Sequence, residues 1–190
     1  MSAMAKSSSK RWLVAAIGQD RPGIVAGVAE VLYQLGCNLE DSAMTRLEGE
    51  FTIMLIVSAP SSLSDERLQQ AFAPLESRLR LAIHLKALSA YETRSPAKSL
   101  RPHIISVYGA DRPGIVFRVT QLLAQARVNI TDVQTHRAGG GKSGPSLYML
   151  LLEVELPKPA STVKLEQSLK RLAGELDVEV SLRPTEANVL

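Results

Sequence analysis

Gly18-Gln19-Asp20-Arg21-Pro22-Gly23-Ile24-Val25 returns further along the chain as Gly109-Ala110-Asp111-Arg112-Pro113-Gly114-Ile115-Val116. Seven of the eight positions are identical, at a constant offset of 91. The same offset pairs Val28 with Val119, Leu32 with Leu123, Asn38 with Asn129, Asp41 with Asp132 and Arg46 with Arg137. Six extra residues then enter the second copy. At an offset of 97, Phe51 aligns with Tyr148, Val57 with Val154 and Pro60 with Pro157. A fixed period of this length marks a repeated structural unit.

Each copy reads the same way from its octet outward. Trp12 to Ile17 and His103 to Tyr108 are short apolar runs that end at a glycine, the pattern of buried strands. After the octet, Ile24, Val28, Val31, Leu32 and Leu35 fall on one face of a helix, as do Ile115, Val119, Leu122, Leu123 and Ala126. Pro22 and Pro113 suit a first helical turn, where the missing N–H costs nothing. Gly36 suits the helix C-terminus; its counterpart is Arg127, which predicts a cap present in the first copy only.

Asn38–Leu47 and Phe51–Ser58 then form a hairpin around Glu48-Gly49, matched by Asn129–Arg137 and Tyr148–Leu156 around a longer Gly-rich loop, Ala138–Ser146. Leu68, Phe72, Leu75 and Leu79, behind a capping Ser64, predict a second helix, repeated by Leu165, Leu169, Leu172 and Leu176. Alternating Leu81, Ile83, Leu85 and Val178, Val180, Leu182 close each copy with a strand. The order is βαββαβ, twice. It predicts an α+β fold of two ferredoxin-like domains, each a four-stranded antiparallel sheet with two helices on one face. Open sheet edges invite pairing, so the copies are expected to meet side by side, within a chain or in a homo-oligomer. The expected layout is a disordered basic tail at 1–10, domains at 11–92 and 103–190, and a polar linker at 93–102.

Composition narrows the function. The chain has 190 residues, 45% hydrophobic and 22% charged, which is a globular balance. No run approaches the roughly 18 apolar residues of a membrane span. Trp12–Ile17 behind Lys6, Lys10 and Arg11 is too short for a signal peptide, so the cytoplasm is expected. The net charge of +3 belongs to the tail and linker, which hold five basic groups and no acid. Residues 11–92 carry seven basic against ten acidic groups, and 103–190 carry ten against nine. A nucleic-acid-binding domain shows a basic face on its folded part, so no direct nucleic-acid contact is expected.

Catalytic and metal chemistry find no support. Cys37 is the sole cysteine, and the three histidines have no ligand spacing between them. No metal, organic cofactor or enzyme activity is expected. Gly139-Gly140-Gly141-Lys142-Ser143 would need a glycine at His136 to complete a Walker A loop, and it joins two strands rather than opening a helix. Cys37 reads as a packed thiol, His136 as a sheet-face residue, and Glu153 and Glu155 as solvated.

The strand-to-helix turn is the candidate binding site. Free N–H groups at a helix N-terminus hold a carboxylate well. Gly23 and Gly114 let a ligand approach the backbone. Asp20 and Asp111 can meet an ammonium group, and Asn38 and Asn129 can bond either end of an amino acid. The plainer alternative is that each Asp caps its helix and each Gly relieves crowding.

The paired DRPGIV turns, the asparagine that opens the next strand and the βαββαβ order resemble the ACT domain family, over about 11–92 and 103–188. A chain of this size built from two such modules resembles the glycine cleavage system transcriptional repressor family. The resemblance implies amino-acid sensing, with glycine or serine as the first ligand and a protein partner such as a transcription activator. It implies ligand positions at Asp20, Gly23, Ile24 and Asn38, and at Asp111, Gly114, Ile115 and Asn129. A direct DNA-binding repressor, or a regulatory module of a folate or amino-acid enzyme such as a formyltetrahydrofolate deformylase-like chain, is the alternative.

Overall fold

A computed structural model of the chain describes residues 10–89, 101–139, 146–157 and 162–185. The chain divides into two units, Met1–Ser95 and Pro96–Leu190. The first contains β1 (Lys10–Gln19), α1 (Ile24–Gln34), β2 (Asn38–Leu47), β3 (Glu50–Ala59), α2 (Asp65–Leu79) and β4 (Leu81–Leu88). The second contains β5 (Arg101–Ala110), α3 (Ile115–Gln125), β6 (Asn129–Ala138), β7 (Leu147–Leu156), α4 (Thr162–Leu176) and β8 (Val178–Pro184). Both sheets are four-stranded and antiparallel, in the orders β2-β3-β1-β4 and β6-β7-β5-β8. The α+β ferredoxin-like expectation therefore holds in each unit. The expected tail falls outside the described residues except Lys10, which begins β1. Residues 93–100 of the expected linker also lie outside, while Arg101 and Pro102 belong to β5.

Alternation decides which face is covered. Trp12, Val14 and Ala16 of β1 and Phe51, Ile53, Leu55 and Val57 of β3 are all buried, and they form one core with Ile24, Val28, Leu32, Leu68, Phe72 and Leu75 of the helices. Ile105, Val107, Leu150, Leu152 and Val154 make the equivalent core with Ile115, Val119, Leu123 and Leu169. Adjacent residues on each strand face the helix-free side, where Ile17 and Met54 are exposed.

Local signals account for the element ends. Ser64 Oγ accepts the Arg67 N–H at 3.2 Å and caps α2 as the sequence predicts. Glu48 and Gly49 both have positive φ (47° and 88°), the type I′ requirement for a two-residue hairpin. At the end of α1, Gly36 (φ 67°) lets its N–H reach the Tyr33 carbonyl at 3.0 Å while Cys37 N–H reaches Leu32 at 2.9 Å, a Schellman motif. The expectation that the second copy lacks this cap is wrong. Arg127 (φ 55°) donates to Ala124 at 3.0 Å and Val128 to Leu123 at 2.9 Å, the same two bonds made without glycine.

The edge strand β2 is exposed along its whole length, and so is β6 except for half-buried Ile130. Each carries a bulge at the same repeat position: register shifts between Leu39 and Asp41 and between Ile130 and Asp132. The extra residue Glu40 pairs with Arg11 at 2.6 Å.

Candidate functional site

β1 delivers the chain to the turn at its C-terminal end, where Asp20 N–H donates to the Gly49 carbonyl of the hairpin at 2.8 Å. In the second unit Asp111 N–H donates to Ser146 at 3.0 Å. Pro22 and Pro113 do not enter their helices, contrary to expectation; each forms a turn with the following glycine, and the helices start at Ile24 and Ile115. Gly23 (φ 93°, ψ −5°) and Gly114 (φ 97°, ψ −9°) have the geometry of the third residue of a type II turn, for which proline is favoured one position earlier. A side chain at either glycine would be strained by its φ alone.

Neither helix has a side-chain cap, so the reading of Asp20 and Asp111 as caps fails. Gly27 N–H makes the first helical bond, to Gly23 at 2.8 Å, which leaves the N–H groups of Ile24, Val25 and Ala26 without an intrahelical acceptor. Ile24 and Ile115 bury their side chains in the core, so what each can offer a ligand is its amide.

Each aspartate is instead held from the edge strand two places away in the sheet. Arg46 Nη1 lies 3.3 Å from Asp20 Oδ2, and Arg137 Nε lies 2.8 Å from Asp111 Oδ2. Ser146 Oγ also donates to Asp111 at 3.4 Å. These arginines are the site residues that sequence reasoning missed. Their signal was available, since both survive at the repeat offset of 91. The consequence is a mouth where a guanidinium and free helix amides favour an anion beside a carboxylate that favours a cation.

In the first unit this mouth opens onto a concavity of about 890 Å³, lined by Asp20–Ala26 and Ala29 and walled by Met44, Arg46 and Phe51. Register explains the wall. Met44 lies opposite Ile53 and Arg46 opposite Phe51, so both stand on the helix-bearing face. Asn38 is elsewhere. It pairs with Ser58 while the turn follows Gly18, which pairs with Phe51. Seven residues of strand at about 3.4 Å each put it roughly 24 Å from the turn. Asn129 stands at the same far end and donates to Glu155 at 3.2 Å. Within one unit, the predicted residues thus separate into Asp20, Gly23 and Ile24 (Asp111, Gly114 and Ile115) at one end and the asparagine at the other.

A sequence model of the ACT domain matches residues 10–86 and again residues 101–183. The chain belongs to the ACT-domain family. It is 28% identical over 184 residues to the glycine cleavage system transcriptional repressor of Escherichia coli K12, covering 94% of this chain and 92% of that one. A UPF0237 protein of Streptococcus mutans is 31% identical over 80 residues, which is 42% of this chain and 91% of that protein. The crystal structure of an unknown protein from Galdieria sulphuraria is 27% identical, covers 94% of this chain and 100% of that one, and superposes with a TM-score of 0.78.

The other sequence candidates take ordinary places in these ACT domains. Cys37 packs half-buried against the first core, and burial pushes its thiol pKa up, away from thiolate reactivity. His136 lies opposite Met149 on the helix-free face, and Glu153 is exposed further along β7, opposite Asp132. Among the described residues no cluster of metal-ligating side chains occurs, and no helix is long and apolar enough to cross a membrane.

Proposed function

We propose that this chain is a cytoplasmic, non-enzymatic regulator that senses a small amino acid at its strand-to-helix turns and acts on transcription of glycine-cleavage genes through a protein partner. The observation that carries the reading is the concavity at the Asp20–Ala26 turn, whose lining brings together the uncapped start of α1 and the Asp20–Arg46 pair. A zwitterion matches that distribution: its carboxylate takes the amides and its ammonium the aspartate. The name of the Escherichia coli relative supplies the transcriptional context. Glycine or serine is the first ligand to try.

Asn38 and Asn129 enter this reading through a second copy of the chain. Antiparallel pairing of two β2 edges sets the start of one strand beside the end of the other, and so brings the asparagine of one copy toward the turn of its neighbour. Calorimetric titration of the full chain with the standard amino acids is the test. Saturable binding of glycine or serine, weakened about 10-fold by Arg46→Ala through loss of a charged hydrogen bond, supports the reading. Absence of binding at millimolar amino acid overturns it. A gel shift of glycine-cleavage promoter DNA by the chain alone would replace the partner route with direct DNA binding.

A further inference from the structure

The two turns are built alike, but the walls around them are not. The concavity of the first unit is bounded on α1 by Ala26 and Ala29 and on β2 by Met44. At the repeat offsets, Phe117 stands for Ala26, Thr120 for Ala29 and Thr135 for Met44. Phe117 is the third residue of α3, as Ala26 is of α1, and it is 62% exposed, so it is not drawn into the core. The Thr120 hydroxyl is already engaged with the Val116 and Phe117 carbonyls at 2.9 and 3.2 Å. The features around the turn itself are the same in both units: the left-handed glycine, the uncapped helix and the Asp–Arg pair.

We infer that the two units divide their ligands by size: the first accepts an α-amino acid with an aliphatic side chain, and the second accepts only glycine or serine. This rests on the sensing reading above and deepens it. The shared features recognise the part common to all amino acids, the carboxylate and the ammonium group. What differs is the space beyond the α-carbon. In the first unit Val25, Ala26, Ala29, Met44 and Phe51 offer apolar walls to a side chain. In the second, the repeat position of Ala26 carries the phenyl side chain of Phe117 in place of a methyl. Filling such space excludes a ligand more sharply than an added methyl group attracts one.

Leucine and glycine are the probes, titrated separately into the full chain by calorimetry. Wild type should take one leucine per chain. Ala26→Phe should weaken that leucine about 10-fold or more while glycine binding persists. The residue is tolerated at the matching place of α3, so the variant should fold, and an unchanged unfolding midpoint checks this. Phe117→Ala should raise leucine to two per chain. Leucine binding at two sites in wild type, leucine unaffected by Ala26→Phe, or a single leucine in Phe117→Ala would each overturn the division. Glycine binding without leucine defeats the division alone, whereas no binding of either defeats the sensing reading with it.

Discussion

The helix pairs of the two units solve one packing problem by different means. In the first, Gly27 of α1 faces Leu75 of α2 so closely that a Cβ at Gly27 would stand 2.6 Å from Leu75 Cδ1. In the second, the Gly27 position is Arg118, which reaches across to Glu175 at 2.6 Å with both side chains about half exposed. Pro74 lies inside α2, which runs on unbroken to Leu79, while its counterpart in α4 is Arg171. The cap after α1 uses glycine, and the cap after α3 forces an arginine into the same conformation. The first unit thus gains close apolar contact and a relaxed cap but carries a proline within a continuous helix; the second has a proline-free helix, a strained cap and a surface bridge. One backbone plan accommodates both because burial on the sheet, common to the two cores, supplies most of the stabilisation.

The contrast can be broken one position at a time. Trp12 is the sole tryptophan and lies buried in the first unit, so its fluorescence follows that unit's unfolding while circular dichroism follows both. The largest effect is expected from Arg171→Pro, which puts into α4 a proline without the surroundings that accommodate Pro74 in α2 and, by removing a helical N–H donor, should cost about 3 kcal/mol in urea unfolding. The reverse change, Pro74→Ala, should stabilise the first unit by a smaller amount, since its surroundings are already adapted to the proline. Gly27→Leu should follow, at about 1–3 kcal/mol, because the added side chain must displace buried Leu75. An unchanged fluorescence transition would mean that the helices separate freely and the close contact contributes nothing.

Arg127→Gly should raise the stability of the second unit by about 1 kcal/mol, the cost of a left-handed non-glycine residue. The same midpoint before and after would show that the strain is relieved elsewhere. The smallest effect belongs to Arg118→Ala, under about 1 kcal/mol and weaker still in high salt, as for other exposed ion pairs. A larger loss would make the bridge the true counterpart of the Gly27 contact.

Much of this was legible in the sequence. The octet and its offset identified the repeat, and period-3.6 and period-2 patterns placed all twelve elements, because burial against one face imposes those periods. Ser64 and Glu48-Gly49 were readable because their chemistry acts within four residues. The cap at Arg127 was hidden because the backbone there pays a strain that no residue type announces. Pro22 fits both a first helical turn and a turn ahead of the helix, and only the φ of Gly23 separates the two. The distance between Asn38 and the turn was in principle available: a helix that follows one strand and precedes the next returns the chain to the opposite end of the sheet. Arg46 was aligned with Arg137 but given no role, since its meeting with Asp20 depends on strand register, which sequence spacing alone does not state.

The bulges at Glu40 and Thr131 act as stops on the sheet edge. A strand added to β2 finds regular backbone only from Asp41 to Leu47, because the ladder is broken at Glu40. The same limit holds on β6 from Asp132 to Ala138. A regular addition would thus run along the seven residues nearest the turn, alongside Met44 and Arg46, with the bulge limiting its slippage on one side. Assembly along this edge and ligand occupancy would then share Met44 and Arg46, so a mutation at either residue bears on both.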